Sequence, residues 1–241
     1  MKKYSSVLLF FVGLLLISDY SFAQMFSVGE SNRQVQASNS YLRLGLAPFT
    51  FDFQGNRLEN PNSTTLELDN TAFYVAFETP GVILNLMLAN KLTGLEDQSL
   101  FDLAFTLTNR FAFIRGRSVQ AGVPIQLYSS ITGVNSDRSN ENFNQANFAV
   151  GAGAFIGFRF SNKIIFSNEF IPGYGFSNSN GGFIGGSMYY LRGKSRLNFI
   201  NIFAGRSLSI GYDFNYRSFD IEDEIYDFDF TSHLITLGIS L

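Results

Sequence analysis

The chain has 241 residues, 46% of them hydrophobic and 16% aromatic, with 28 Phe, 11 Tyr, 22 Gly and no Cys, and its 17 basic and 20 acidic side chains leave a formal charge of −3. Without cysteine there is no disulfide framework and no lipid-carrying thiol. The weak negative charge excludes the basic footprint of a nucleic-acid binder, and a soluble sandwich, with its aromatics hidden inside, would carry more than 15% charged residues on its faces.

The first segment is expected to be removed before folding. Lys2 and Lys3 precede an eleven-residue apolar run from Val7 to Ile17, and Ser21-Phe22-Ala23 places small residues at the positions of a cleavage site before Gln24. The run is shorter than the roughly 20 apolar residues a spanning helix needs, so residues 1–23 read as a signal peptide. Losing Lys2, Lys3 and Asp19 would bring the mature chain to a net charge near −4. Residues 24–39 are polar and aperiodic, a periplasmic lead-in, and 40–241 form one domain.

From Tyr41 the dominant signal is period-two alternation, the mark of strands with one apolar face. Leu42, Leu44 and Leu46 share a face. Phe49, Phe51 and Phe53 follow with parity moved by one, and Pro48 at the junction predicts a bulge. A polar stretch, 54–70, reads as a loop. Strands are expected over 72–79 and 82–90 around Pro80-Gly81, with a short loop to Ser99. In Leu100–Phe113 the residues Phe101, Leu103, Phe105, Leu107, Phe111 and Phe113 oppose Asp102, Ala104, Thr106, Thr108, Arg110 and Ala112. A charge facing lipid at the midplane costs about 2–4 kcal/mol for Arg or Lys, so Asp102 and Arg110 must face inward.

A turn at Arg115-Gly116-Arg117 leads into a strand through Leu127. Residues 134–146 form a polar loop, and the strand 146–160 follows with an inner face bare enough to admit long side chains from elsewhere. A turn at 161–163, a strand 164–171, a Gly- and Ser-rich loop 172–182 and a strand 183–192 come next. Residues 192–205 match neither periodicity. A strand over 208–217, an acidic loop 220–229 and a final strand 230–241 complete the count. The reading is all-β: a closed, antiparallel, up-and-down transmembrane β-barrel of ten strands, with eight or twelve as alternatives. Twelve would require a hairpin in 192–205. A barrel satisfies every backbone group in lipid and leaves no edge strand.

The terminal segment alternates Ile235, Leu237, Ile239 and Leu241 with Thr236, Gly238 and Ser240. With the leader and the alternating strands, it resembles the small Gram-negative outer-membrane barrels of the OmpA/OmpX-like group. The resemblance implies insertion by the barrel-insertion machinery through Ile235, Leu237, Gly238, Ile239 and Leu241, contact with outer-membrane lipids and residence in the outer membrane. The family usually ends in Phe where this chain has Leu241.

The candidate functional residues are the inward charges Asp102, Arg110, Arg159, Glu169, Asp213 and Arg217, three of each sign, which persist in a membrane interior when paired. They predict a lumen filled and cross-linked by ion pairs, with a structural or surface-interaction role served by loops 54–70, 134–146, 172–182 and 220–229. One alternative is a narrow porin-like channel lined by the same charges. A second is a lipid-modifying enzyme using the lone histidine, His233, whose neighbour Ser232 must point the opposite way and so cannot be its partner. No enzyme activity, cofactor, metal site or nucleic-acid partner is expected: the acidic loop matches no EF-hand spacing, and no phosphate-cradling or zinc motif occurs.

Overall fold

The computed structural model describes residues 40–53, 66–136, 142–179, 185–221 and 227–241. The expected signal peptide and lead-in lie outside them. Eleven strand segments follow one another: β1 (Tyr41–Phe53), β2 (Leu66–Glu78), β3 (Val82–Ala89), β4 (Gln98–Arg115), β5 (Val119–Ser136), β6 (Asn142–Ala152), β7 (Ala154–Arg159), β8 (Ile164–Ser179), β9 (Gly186–Phe203), β10 (Arg206–Ile221) and β11 (Phe228–Ser240). Each pairs antiparallel with its sequence neighbours, except that β6 and β7 both lie between β5 and β8. These two are one stave in unbroken register with β5 and β8. The ladder lapses around Gly153, where two prolines without an N–H face this stave, Pro124 of β5 opposite Gly153 and Pro172 of β8 opposite Ala152; the Gly153 N–H still donates to the Pro124 carbonyl at 3.2 Å. β1 pairs with β11 from Tyr41↔Ser240 to Phe53↔Phe228, so ten staves close on themselves. No edge remains unpaired, which is what allows a sheet to sit in hydrocarbon.

The connections 79–81, 116–118, 160–163 and 204–205 lie at one end, with Tyr41 and Leu241; the longer connections lie at the other. Along most of the barrel the alternation places apolar side chains outside. Leu44 is 56% exposed and Leu237 67%, and Phe73, Phe101, Leu107, Phe148, Ile210 and Ile235 share this outer belt. Between them Arg43, Asp102, Asp213 and Thr236 are buried inside.

Toward the long-loop end this polarity inverts. Phe49, Phe51 and Phe53 point into the barrel and are almost wholly buried, while Pro48, Thr50 and Asp52 face out. Pairing of β1 with β2 runs without interruption from Tyr41↔Glu78 to Phe53↔Leu66, so the bulge expected at Pro48 is absent. The chain keeps its pleat, and the hydrophobic row changes sides. The same inversion appears on β2, β6, β10 and β11: Leu68, Phe143, Phe219, Phe228 and Phe230 are buried inside, while Glu67, Asp69, Asn144, Asp220 and Asp229 are exposed outside. An outward face bearing a row of carboxylates is solvated by water rather than acyl chains. Above that level the apolar side chains have only the interior in which to escape water. The expectation that every apolar row faces lipid is therefore corrected for this end of the barrel.

Other boundaries also move. Residues 192–203 continue β9 and are not a connection, and 172–179 belong to β8 rather than to a loop. The expected loops 54–70, 134–146 and 220–229 shrink at their edges, because β2 starts at Leu66, β5 runs to Ser136, β6 starts at Asn142, β10 reaches Ile221 and β11 starts at Phe228. What is left of these loops, and residues 180–184, lies outside the described residues. A short 3-10 turn, Lys91–Thr93, begins the β3–β4 connection, capped by Asn90 and ended by Gly94 in the left-handed region (φ 94°).

Candidate functional site

Among the described residues the lumen is where the barrel gathers charged side chains out of water, and it is filled in three tiers. At the short-turn end, Arg43 (between Leu42 and Leu44 of β1), Glu78 (the last residue of β2), Lys194 and Arg196 (β9) and Asp213 (β10) converge. Arg43 Nε and Lys194 Nζ both contact the Glu78 carboxylate, and Arg196 Nε reaches Glu78 Oε2 at 3.2 Å. The Arg196 fork also engages both oxygens of Asp213, with Nη2–Oδ2 at 2.8 Å. Arg43 Nη2 donates to Ser209 Oγ at 3.1 Å. Beside this group Arg110 Nη2 meets Glu169 Oε2 at 2.8 Å, and its Nη1 donates to the Pro80 carbonyl at 3.0 Å. Gly238 makes the packing possible: a Cβ there would stand 3.0–3.3 Å from the Arg43 side chain.

The middle tier centres on Arg217 of β10. Its Nη1 lies 2.9 Å from Asp102 Oδ1, 2.9 Å from Ser130 Oγ and 3.1 Å from the Tyr128 hydroxyl. Thr132 Oγ1 donates to the same Asp102 oxygen at 2.5 Å. Arg192 Nη1 donates to Thr106 Oγ1 at 2.9 Å. The bare inner face of β6 is filled by Tyr190 of β9, whose ring and hydroxyl lie against Gly151 and Gly173.

The third tier, at the long-loop end, is aromatic. Phe143 stands edge-on to Phe228 with ring centroids 4.5 Å apart, Phe219 stacks on Phe228 at 3.9 Å, and Phe51 touches Phe143, Phe228 and Phe230. Arg217 joins the tiers, its guanidinium carbon 4.2 Å from the Phe230 ring centroid.

Asp102, Glu169, Asp213 and Arg217 are buried in the lumen, Arg110 is half-buried at its short-turn end, and Arg159 lies half-buried on the inward side of β7 near the same end. The pairs are Asp102–Arg217 and Glu169–Arg110, whereas Asp213 is held by Arg196. Sequence reasoning did not select Arg43, Glu78, Arg192, Lys194 or Arg196. Parity alone could have found Arg43, flanked by two leucines. In the C-terminal segment Ile235, Leu237 and Ile239 line the outer face, Gly238 makes room for Arg43, and the Leu241 N–H donates to the Ser40 carbonyl.

His233 stands on the outer face, its Nδ1 2.9 Å from the Tyr212 hydroxyl, while Ser232 is fully buried on the other side and accepts from Asn215. No nucleophile–base pair forms there. Among the described residues no group of three or more His, Cys, Asp or Glu is arranged to hold a metal ion.

No protein-family model and no curated protein matches the sequence. Among solved structures the fold is similar to the outer membrane protease OmpT from Escherichia coli, at 8% identity over 86% of this chain and 99% of that one, with a TM-score of 0.49. It is also similar to Ail, the attachment invasion locus protein of Yersinia pestis (12% identity, 86% and 100% coverage, TM-score 0.29), and to the outer membrane protein OprD from Pseudomonas aeruginosa (9%, 84% and 94%, 0.24).

Proposed function

We propose that this protein is an integral outer-membrane barrel whose lumen is closed by its own side chains, with a structural or surface-interaction role rather than a transport one. The observation that carries this reading is the continuity of the filling: an aromatic layer across the long-loop end, an Asp102–Arg217 knot below it, and a five-residue ionic cluster around Glu78 at the other end. Short turns face the periplasm and long connections face outward in barrels of this kind. The aromatic layer then seals the outer mouth, and the polar rim of Thr50, Asp52, Asp69 and Asp229 stands above the lipid where a partner could reach it. The leader is removed on export, and the terminal strand serves as the insertion signal.

Single-channel recording from purified protein in planar bilayers tests the reading. Closed traces across the voltage range are expected, and steady open current from the wild type would overturn it. Fractionation with detergent-gel mobility, boiled and unboiled, tests the location and the closed barrel together. His233→Ala is expected to leave membrane lipid composition unchanged, since His233 pairs with a phenol and not with a nucleophile.

A further inference from the structure

The ionic side chains of the lumen do not balance. Among the described residues the three tiers hold six cations and four carboxylates. The middle tier holds one of the two surplus charges, Arg192 and Arg217 facing Asp102, and the other lies at the short-turn end, where Arg43, Arg110, Lys194 and Arg196 face Glu78, Glu169 and Asp213. There a cavity of about 50 Å³ is lined by Arg43, Arg110, Lys194 and Arg196 but by only two carboxylates, Glu78 and Glu169, and Thr79 and Pro80 of the β2–β3 turn stand beside it. Glu78 is shared by three cations, and neither Arg43 nor Lys194 has a second carboxylate contact. Inside a barrel surrounded by hydrocarbon an uncompensated buried charge costs several kcal/mol. Lys194 has three N–H donors, of which the Glu78 contact uses one. The cavity has room for roughly three to five waters, since one needs about 10–15 Å³ by the same measure. That is room for a compact ion.

We propose that this vestibule binds one small oxyanion, of the phosphate or carboxylate class, with Lys194 and Arg110 as direct donors and Arg43 and Arg196 supplying the surrounding positive charge. The anion would neutralise the single surplus charge that Glu78, Glu169 and Asp213 leave and would enter from the short-turn side. That this side faces the periplasm rests on the reading above; the binding itself does not, because it holds whether or not the barrel conducts.

The test uses the folded full-length barrel in a maltoside detergent, which carries no phosphate, titrated separately with inorganic phosphate and acetate by calorimetry. Saturable one-site binding of at least one of them to the wild type is expected. Lys194→Gln should weaken it at least about tenfold, the loss of one charge-assisted hydrogen bond, while Lys163→Gln at an exposed turn should not change it. Failure of the wild type to bind either anion at millimolar concentration would overturn the proposal, as would equal binding by Lys194→Gln. Should Lys194→Gln not fold, amine acetylation of the wild type followed by mass spectrometry decides the matter. The anion should protect Lys194 and leave Lys163 reactive, and equal labelling of Lys194 with and without it would refute the site. Binding of short-chain phosphatidylglycerol in place of the free anions would also refute it, since the proposed ligand is a free oxyanion and not a lipid headgroup.

Discussion

The change of polarity along β1 gives a quantitative test. Leu44 and Thr50 lie on the same outward face of one strand, six residues apart. At about 3.4 Å per residue and a tilt of about 40°, that separation is roughly 15 Å along the membrane normal. If Pro48 marks the level at which acyl chains give way to water, Leu44→Arg carries a guanidinium into the hydrocarbon and costs about 2–4 kcal/mol, whereas Thr50→Arg costs about 0–1 kcal/mol. Thr50 sits opposite Thr231 on one side and Asp69 on the other, so a new cation there also gains a carboxylate neighbour. Reversible urea titrations of both variants and the wild type in phospholipid vesicles measure the difference. Circular dichroism or unboiled gel mobility must report it, since the chain has no tryptophan. Equal penalties at the two positions would refute the argument, because they would place Thr50 in the same medium as Leu44 and leave the inward turn of Phe49, Phe51 and Phe53 without a cause.

Three other outcomes follow from the packing. Phe230→Ala empties a fully buried site that stacks on Phe49 and carries the Arg217 cation on its ring; a loss of about 3–5 kcal/mol is expected in the same titration. Asp102→Ala leaves Arg217 without its carboxylate inside the barrel and should cost about 3–5 kcal/mol, with most of that recovered in Asp102→Ala/Arg217→Met, a coupling read by a double-mutant cycle. Gly173→Val drives a side chain into the Tyr190 ring and should cost about 1–3 kcal/mol by overpacking, and the pair Gly173→Val/Tyr190→Ala should lose less than the two changes summed.

Much of the barrel could be read from alternation, because its period depends only on the pleat. Leu100–Phe113 assigns Asp102 and Arg110 to one face and the phenylalanines to the other without reference to any neighbour. The shift of parity at Pro48 has two physical causes, an inserted residue or a change of medium outside, and a single strand cannot distinguish them. Comparison with β11 could have, since Phe228 and Phe230 fall opposite Phe53 and Phe51 and show the same inward parity. Residues 192–203 escaped detection because Gly193 and Ser195 leave the outward row without its apolar signal, although Arg192, Lys194, Arg196 and Asn198 kept strict period two. Residues 172–179 read as a loop because Gly173 and Gly175 are common in turns, yet Gly173 is glycine to make room for Tyr190. The convergence of Arg43, Lys194 and Arg196 on Glu78 joins strands far apart in sequence, and no local pattern encodes it.

On the proposed reading, the inversion and the filled lumen are one design. In the bilayer the outward face must be apolar, so polar residues are forced inside, where they are tolerable only if paired; that is why the tiers around Glu78 and Asp102 are networks and not isolated charges. Above the bilayer the constraint reverses, and four of the staves, β1, β6, β10 and β11, pack phenylalanines inward as a soluble barrel would. On that reading, staves carried beyond the lipid acquire an aromatic layer from solvent physics alone. A water-filled path would have to part Phe51, Phe143, Phe228 and Phe230 and expose them to water. It would also have to break the Asp102–Arg217 contact beneath them.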